Sequence, residues 1–213
     1  DRALLTQTDR DRRWRTTTVL DLAAASPTGT TLFDLSINDA YRDPGMPLTE
    51  TLPGGDRVIV QDGDWIYFLS RGMSEKGARP ALVRWNLATL AQETVFASGE
   101  KEFAQFIQFC DPGRKTFLIR RESPADPPNY FLCDLATGKR SQITDVRDPA
   151  PELTGIERRV MTYSRADGVP LSATLYLPPG YTPGKRIPAL IWAYPLEYSD
   201  AATAGQVRAT PTR

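Results

Sequence analysis

The side chains that could do chemistry are limited in this chain by one absence: its 213 residues include no histidine. A Ser-His-Asp or Cys-His arrangement therefore cannot be completed from these residues alone, and neither can an imidazole zinc site. The spacings GxSxG, HExxH and CxxC do not occur. The nearest approach to a phosphate-binding loop is Gly180-Tyr181-Thr182-Pro183-Gly184-Lys185-Arg186. It is one residue short, Arg186 stands where a Ser or Thr would bind the metal, and Pro183 removes a backbone donor from the cradle. A turn between strands is the expected reading. Cys110 and Cys133 are expected to lie at the ends of strands two apart in one sheet, roughly 9–10 Å from each other, beyond disulfide reach. Both are expected to be small buried thiols. No cofactor and no metal site is expected.

Charge excludes further classes. Lys+Arg and Asp+Glu both number 26, so the formal net charge is zero. No basic stripe marks a nucleic-acid surface. The longest apolar runs, such as 187–194, are too short to cross a bilayer as a helix. Asp1 is not followed by a charged-then-apolar leader, so the native N-terminus is expected to be missing or processed, and the compartment is left open.

The elements that must position any site are strands. Segments 14–20, 31–37, 57–60, 65–70, 81–86, 103–109, 115–121, 130–134 and 140–144 are short and rich in β-branched or aromatic residues. Turn residues such as Asp62-Gly63, Asp111-Pro112-Gly113 and Thr137-Gly138 separate them. No segment before 150 has the sustained 3.6-residue period of a core helix. A weak repeat runs through this region: Asp21-Leu22-Ala23, Asn86-Leu87-Ala88-Thr89 and Asp134-Leu135-Ala136-Thr137-Gly138 each follow one strand and precede another, with spacings of 65 and then 48 residues. The second spacing is near a propeller blade's roughly 40–50 residues. In such a blade the stretch fits the turn from third to fourth strand. A β-sandwich could also reuse this turn chemistry; the repeat favours four-stranded antiparallel meanders of a propeller.

The pattern changes after Asp148-Pro149-Ala150-Pro151, which reads as a linker. Segments 159–164 and 171–177 predict a hairpin around Asp167-Gly168. Leu171, Ala173, Leu175 and Leu177 alternate with polar or larger neighbours, predicting one buried face. Ala189-Leu190-Ile191-Trp192-Ala193-Tyr194 is apolar without alternation, as in a central strand covered by helices on both faces. The 19 residues that follow contain no amphipathic helix of useful length. A sheet is begun here whose covering helices lie elsewhere. Residues from about 185 onward are accordingly expected to be mobile, or held only by another chain or by the rest of a parent protein.

The run from Tyr163-Ser164-Arg165-Ala166-Asp167-Gly168 through Leu175-Tyr176-Leu177-Pro178-Pro179-Gly180-Tyr181 resembles the entry into the hydrolase domain of prolyl oligopeptidase-type serine peptidases. Ile187-Pro188-Ala189-Leu190-Ile191-Trp192-Ala193-Tyr194-Pro195-Leu196-Glu197-Tyr198, followed by Ala204-Gly205-Gln206-Val207-Arg208, resembles the glutamyl endopeptidase branch, and Asp39-Ala40-Tyr41-Arg42-Asp43-Pro44-Gly45 and Pro128-Asn129-Tyr130-Phe131-Leu132 resemble that branch's propeller. The likeness is strongest from about 126 to 208 and weak before 30.

The resemblance implies a mainly β chain: the C-terminal part of a β-propeller over 1–150, then the first strands of an α/β-hydrolase domain over 151–213. It implies a serine endopeptidase of peptide substrates, with cleavage after glutamate as the most specific version. The family's nucleophile elbow, Asp and His come later than this sequence extends, so the chain alone is expected to be inactive and to need the remainder of the hydrolase domain. An aminoacyl- or dipeptidyl-releasing relative, or a propeller used purely for binding, are the alternatives. One catalytic role is implied within the chain: Tyr194 matches a tyrosine whose hydroxyl donates to the oxyanion of the tetrahedral intermediate, although Pro195-Leu196 replaces the glycines usual in other branches. Otherwise Tyr194 simply ends a buried strand. The 39–45 loop either faces a substrate cavity at the propeller rim or, the favoured reading, connects two blades through Asx-type hydrogen bonds. Glutamate specificity would require an arginine or lysine near the pocket; the sequence singles out none.

Overall fold

The computed structural model describes residues 2–26, 28–193 and 201–210. The chain begins with three antiparallel strands, β1 (Arg2–Asp9), β2 (Trp14–Asp21) and β3 (Thr28–Ser36), hydrogen-bonded in chain order. The second sheet gathers shorter pieces: β4 (Met46–Pro47), a separate small hairpin of β5 (Thr49–Thr51) and β6 (Arg57–Ile59), β7 (Gln61–Asp62), β8 (Trp65–Ser70), β9 (Ala81–Asn86) and β10 (Gln92–Ala97). Its order is β10-β9-β8-β4, with β7 also pairing with β8. The third sheet is a plain four-stranded meander of β11 (Phe103–Phe109), β12 (Thr116–Glu122), β13 (Asn129–Asp134) and β14 (Arg140–Gln142).

All nine strands expected before residue 150 are present to within a few residues. The four-strand count holds for the third sheet, while the first has three strands and the second five. The long edge strands β1 and β10 are not among the expected segments, and neither are the two- and three-residue strands β4, β5 and β7. β10 opens on Gln92-Glu93-Thr94 and both edge strands are mostly exposed, so neither shows the apolar alternation that marks a half-buried strand. Two of the three recurring turns sit where the repeat places them; the first, where Asp21 Oδ1 accepts the Ala23 amide, instead joins the second and third strands of the three-stranded first sheet. Asn86 Oδ1 accepts the amides of Ala88 and Thr89 between β9 and β10, and Asp134 Oδ1 accepts the Thr137 amide and hydroxyl between β13 and β14. Each is a third-to-fourth-strand turn closed by an Asx side chain.

Side-chain alternation explains how the sheets stack. On β8, Ile66 and Phe68 point to one face and Tyr67 to the other; on β9, Val83 and Leu82 divide likewise. Ile66, Phe68 and Val83 join Val19, Leu32, Phe33 and Leu35 of the first sheet in one core. Tyr67 and Leu82 join Ala104, Phe106, Phe117, Ile119 and Cys133 of the third sheet in another, with Leu48 and Val60. The middle sheet is thus buried on both faces, and each large side chain taken from water contributes roughly 1.5–3 kcal/mol. Edge-to-face rings tighten both layers: Phe33 meets Phe68 at 5.3 Å and Trp85 at 4.8 Å, and Tyr67 meets Phe109 at 5.4 Å. Antiparallel meanders stacked in chain order, each packing on the next, are successive blades of a partial β-propeller.

Two cysteine expectations divide. Both thiols are free and Cys133 is buried, but Cys110 is exposed. It lies one residue beyond β11, where the strand has already given way to the turn closed by Asp111, so the sheet no longer covers it.

The linker enters a 3₁₀ turn (Pro151–Leu153), with Asp148 accepting the Ala150 amide and the Thr154 hydroxyl. The predicted hairpin follows as β15 (Glu157–Ser164) and β16 (Pro170–Leu177), closed by Arg165 N to Val169 O and Gly168 N to Arg165 O, 2.9 and 2.8 Å. It pairs with no other sheet. Its predicted buried face is only partly realised: Leu177 is buried while Ala173 and Leu175 are exposed, because no layer among the described residues covers them. The strand expected at 189–194 is corrected in the same sense. Residues 189–193 have no strand partner, and Leu190, Ile191 and Trp192 are 91, 88 and 86% exposed. An all-apolar strand needs neighbours on both edges and layers on both faces, and the described residues supply neither. Beyond it, a single helical turn, α1 (Ala201–Ala204), returns to the chain.

Candidate functional site

Of the residues nominated for chemistry, Tyr194 lies outside the described residues. The 180–186 segment forms two successive tight turns, Tyr181 N to Pro178 O at 3.1 Å and Lys185 N to Thr182 O at 3.2 Å. The expected turns are present, with the strand β16 before them but no strand among the described residues directly after. Among the described residues no three His, Cys, Asp or Glu side chains come together in a way that would hold a metal ion.

The 39–45 loop joins the first sheet to the second, and it is held by the expected Asx bonds. Asp39 Oδ1 accepts the Arg42 amide at 3.2 Å; Asp43 Oδ1 accepts the Gly45 amide at 3.0 Å and an Arg15 Nη2 hydrogen at 2.7 Å. The loop ends on Gly45, whose φ of +90° and approach to the second sheet admit no side chain: a Cβ there would lie 1.9 Å from the Leu69 carbonyl oxygen. A blade-to-blade connection is what the loop is built to be.

It is also a receptor. Segment 203–209 lies across it: Gln206 Oε1 accepts the Ala40 amide at 2.7 Å, Gln206 Nε2 donates to Asp39 Oδ1 at 2.9 Å, and the Val207 amide donates to Tyr41 Oη at 2.8 Å. Arg208 Nη2 donates to Asn38 O at 2.7 Å, and Ala78 N, in the β8–β9 loop, to Ala209 O at 2.9 Å. Val207 is 2% exposed. On its other side the segment meets the hairpin, where Ser172 Oγ reaches Gln206 O at 3.4 Å and Gly205 packs against Pro170 so closely that a Cβ would lie 2.8 Å from the Pro170 Cβ. The expectation that everything past about 185 depends on another chain or the rest of a parent is corrected for 203–209. Backbone donors on the blades give it partners within this chain.

Beside the receptor, a cleft of about 340 Å³ opens between the first two sheets, lined among others by Asp34, Tyr41, Arg42, Asp43 and Trp85. The Thr16 hydroxyl and the Trp14 indole N–H donate to Asp34 at 2.8 and 2.6 Å and hold its carboxyl below the usual range. The Trp85 indole N–H is buried without a hydrogen-bond partner among the described residues.

Sequence reasoning named Tyr41 and Gln206 only inside two separate runs of resemblance, 39–45 and 204–208, and gave neither a role. Their common membership in one branch's pattern was the available signal; nothing in either run announces a partner 166 residues away.

No known family profile matches the chain. Two curated proteins do: the probable glutamyl endopeptidase, chloroplastic, of Oryza sativa subsp. japonica, 32% identical over 84% of this chain, and that of Arabidopsis thaliana, 30% identical over 96%. The chain spans only 21 and 23% of those relatives' lengths. Among solved structures, a puromycin hydrolase mutant is 16% identical, with a TM-score of 0.41 over 88% of this chain and 34% of its own. So loose a superposition adds nothing to what the sheets themselves show. The resemblance to the glutamyl endopeptidase branch is borne out by the two curated relatives.

Proposed function

We propose, from this chain's kinship with glutamyl endopeptidases of the prolyl oligopeptidase family, that it is part of a serine-type endopeptidase whose nucleophile, acid and base lie outside these residues. The observation that carries the reading is the pair of relatives bearing that name, aligned over 84 and 96% of the chain. Two features support it. The last strand of the third sheet ends at Gln142, and β15–β16 then forms a two-stranded sheet that joins none of the preceding ones. The exposed apolar run 189–193 is suited to be covered as an inner strand of a larger sheet. In this reading residues 1–150 are the later part of the propeller and 151–213 open the hydrolase domain. No helix among the described residues is long and apolar enough to cross a membrane.

Tyr194 takes the oxyanion role in this proposal. Hydrolysis of a peptide bond places negative charge on the carbonyl oxygen in the tetrahedral intermediate. A fixed O–H aimed at that oxygen, in a site emptied of water, contributes about 3–4 kcal/mol. Preference for a glutamate side chain calls for a guanidinium or ammonium at the pocket.

The test has two arms. The 213-residue chain, purified, is expected to cleave no peptide and to resist fluorophosphonate labelling, because it contains no histidine to activate a serine. A longer protein in which this chain continues into a GxSxG segment is expected to be labelled at that serine and to cleave after glutamate in preference to glutamine. Stoichiometric labelling of the 213-residue chain, or equal cleavage after glutamate and glutamine, would overturn the corresponding half of the reading.

A further inference from the structure

We infer that segment 203–209 is a releasable clasp: it docks on the blades at 38–41 and 78, and it detaches there as one unit while the blades stay folded. The inference stands apart from the peptidase reading, since it concerns only contacts within this chain.

The make-up of the contact carries it. Three backbone amides cross the seam as donors, Ala40 to Gln206 Oε1, Val207 to Tyr41 Oη and Ala78 to Ala209 O. Two side-chain donors, Gln206 Nε2 and Arg208 Nη2, add to it. Apolar burial is slight by comparison: Val207 is the one large apolar side chain of the segment, against the two multi-residue cores that join the blades. A seam made of hydrogen bonds opens more readily than a packed core, because water replaces the lost partners, and each bond shifts the equilibrium only by about 2- to 12-fold. The seam is also imperfectly satisfied. Asn38, whose carbonyl receives Arg208, has a buried Nδ2 without a partner among the described residues, and a partly satisfied polar contact favours its open form more than a complete one does.

Geometry makes the release collective. Gly205 is wedged against Pro170 and Gln206 O faces Ser172, so the segment is fastened to the hairpin on one side and the blades on the other. The hairpin pairs with no blade. Opening at the blade side therefore breaks all three amide bonds together rather than one at a time. Parts of a protein joined by small polar contacts have low local opening free energies, in contiguous cooperative units.

Amide hydrogen exchange on the 213-residue chain tests this residue by residue. In the unaltered chain, Ala40, Val207 and Ala78 are expected to share one protection factor once each rate is divided by its unprotected-peptide value, at least 10-fold lower than that of Ile119 and Phe131 inside the third sheet. Tyr41→Phe removes only the acceptor of Val207, so Ala40 and Ala78 keep theirs; both are nevertheless expected to quicken by about 2- to 12-fold. Gln206→Ala, which removes the acceptor of Ala40, is expected to quicken Val207 and Ala78 in the same way. Ile119 and Phe131 serve as the fold control and should not change. If only the amide that lost its acceptor quickens, the contacts are independent and there is no clasp. If Ile119 and Phe131 quicken equally, or if the seam amides exchange as slowly as they do, the segment opens only by global unfolding and the inference fails.

Discussion

Removing the Glu102 carboxylate should loosen the third sheet measurably, and the structure sets the size. Glu102 sits just before β11 with its side chain 13% exposed. Its Oε2 accepts from Arg121 Nε of β12 at 2.8 Å, and its Oε1 from Arg140 Nη1 of β14 at 2.8 Å and the Gly99 amide at 3.3 Å. Burial alone would raise its pKa, but the hydrogen bonds from Arg140 and Arg121 outweigh that and hold it below its ordinary 4.5. Charge-assisted hydrogen bonds are worth roughly 1.5–3 kcal/mol each when desolvated. Arg121 and Arg140 are 27 and 34% exposed and regain water when unpaired, so the sum must be discounted heavily. Glu102→Ala is therefore expected to cost about 2 kcal/mol, and Glu102→Gln, which keeps the shape and one acceptor, about 1 kcal/mol. Urea unfolding followed by tryptophan fluorescence measures both, with an unchanged m-value certifying the comparison. The sign of the pH dependence follows from the depressed pKa. The charge's contribution is fully present above the unfolded value near 4.5 and is lost as pH falls through the lower folded value. The unaltered chain and Glu102→Gln should thus differ at pH 7, with the difference shrinking progressively as pH falls below 4.5. A difference at pH 7 under about 0.5 kcal/mol, the level of an ordinary exposed pair, would refute the bracing role. So would one that persists undiminished at pH 3.

Glycine substitution offers a second comparison. Gly45 and Gly55 share φ near +90° (90° and 93°), but a Cβ at Gly45 would strike the Leu69 carbonyl oxygen while Gly55 faces open space. Gly55→Ala should cost about 1 kcal/mol from backbone strain alone. Gly45→Ala should cost at least 2 kcal/mol more in the same urea assay, and equal costs would remove the close approach as the reason for Gly45. In a longer, active protein that contains this chain, Tyr194→Phe should lower kcat by about 10- to 1000-fold with little change in unfolding free energy. Unchanged turnover there would return Tyr194 to plain packing.

The sequence by itself determined the strands and their turns. Short runs rich in aromatic and aliphatic residues, such as 65–70 and 81–86, alternate between two apolar faces, and Asn86 and Asp134 can each close a turn with their own side chains. These signals are local: each needs only neighbours within a few residues, so they can be read in order along the chain. The absence of histidine was equally plain, and it ruled out a Ser-His-Asp triad completed within these 213 residues before any fold was considered. What only the tertiary structure decided is which faces find cover. Leu175 and Ala173 have the same alternation as buried strand residues, and Leu190, Ile191 and Trp192 are as apolar as any core segment, yet all are exposed because burial depends on a second layer that pattern cannot supply. The meeting of Tyr41 with Val207 and of Ala40 with Gln206 was likewise illegible. Those bonds join a backbone amide to a side chain across 166 residues, and a backbone amide, being the same at every position but proline, leaves no trace in the sequence of the partner it will find.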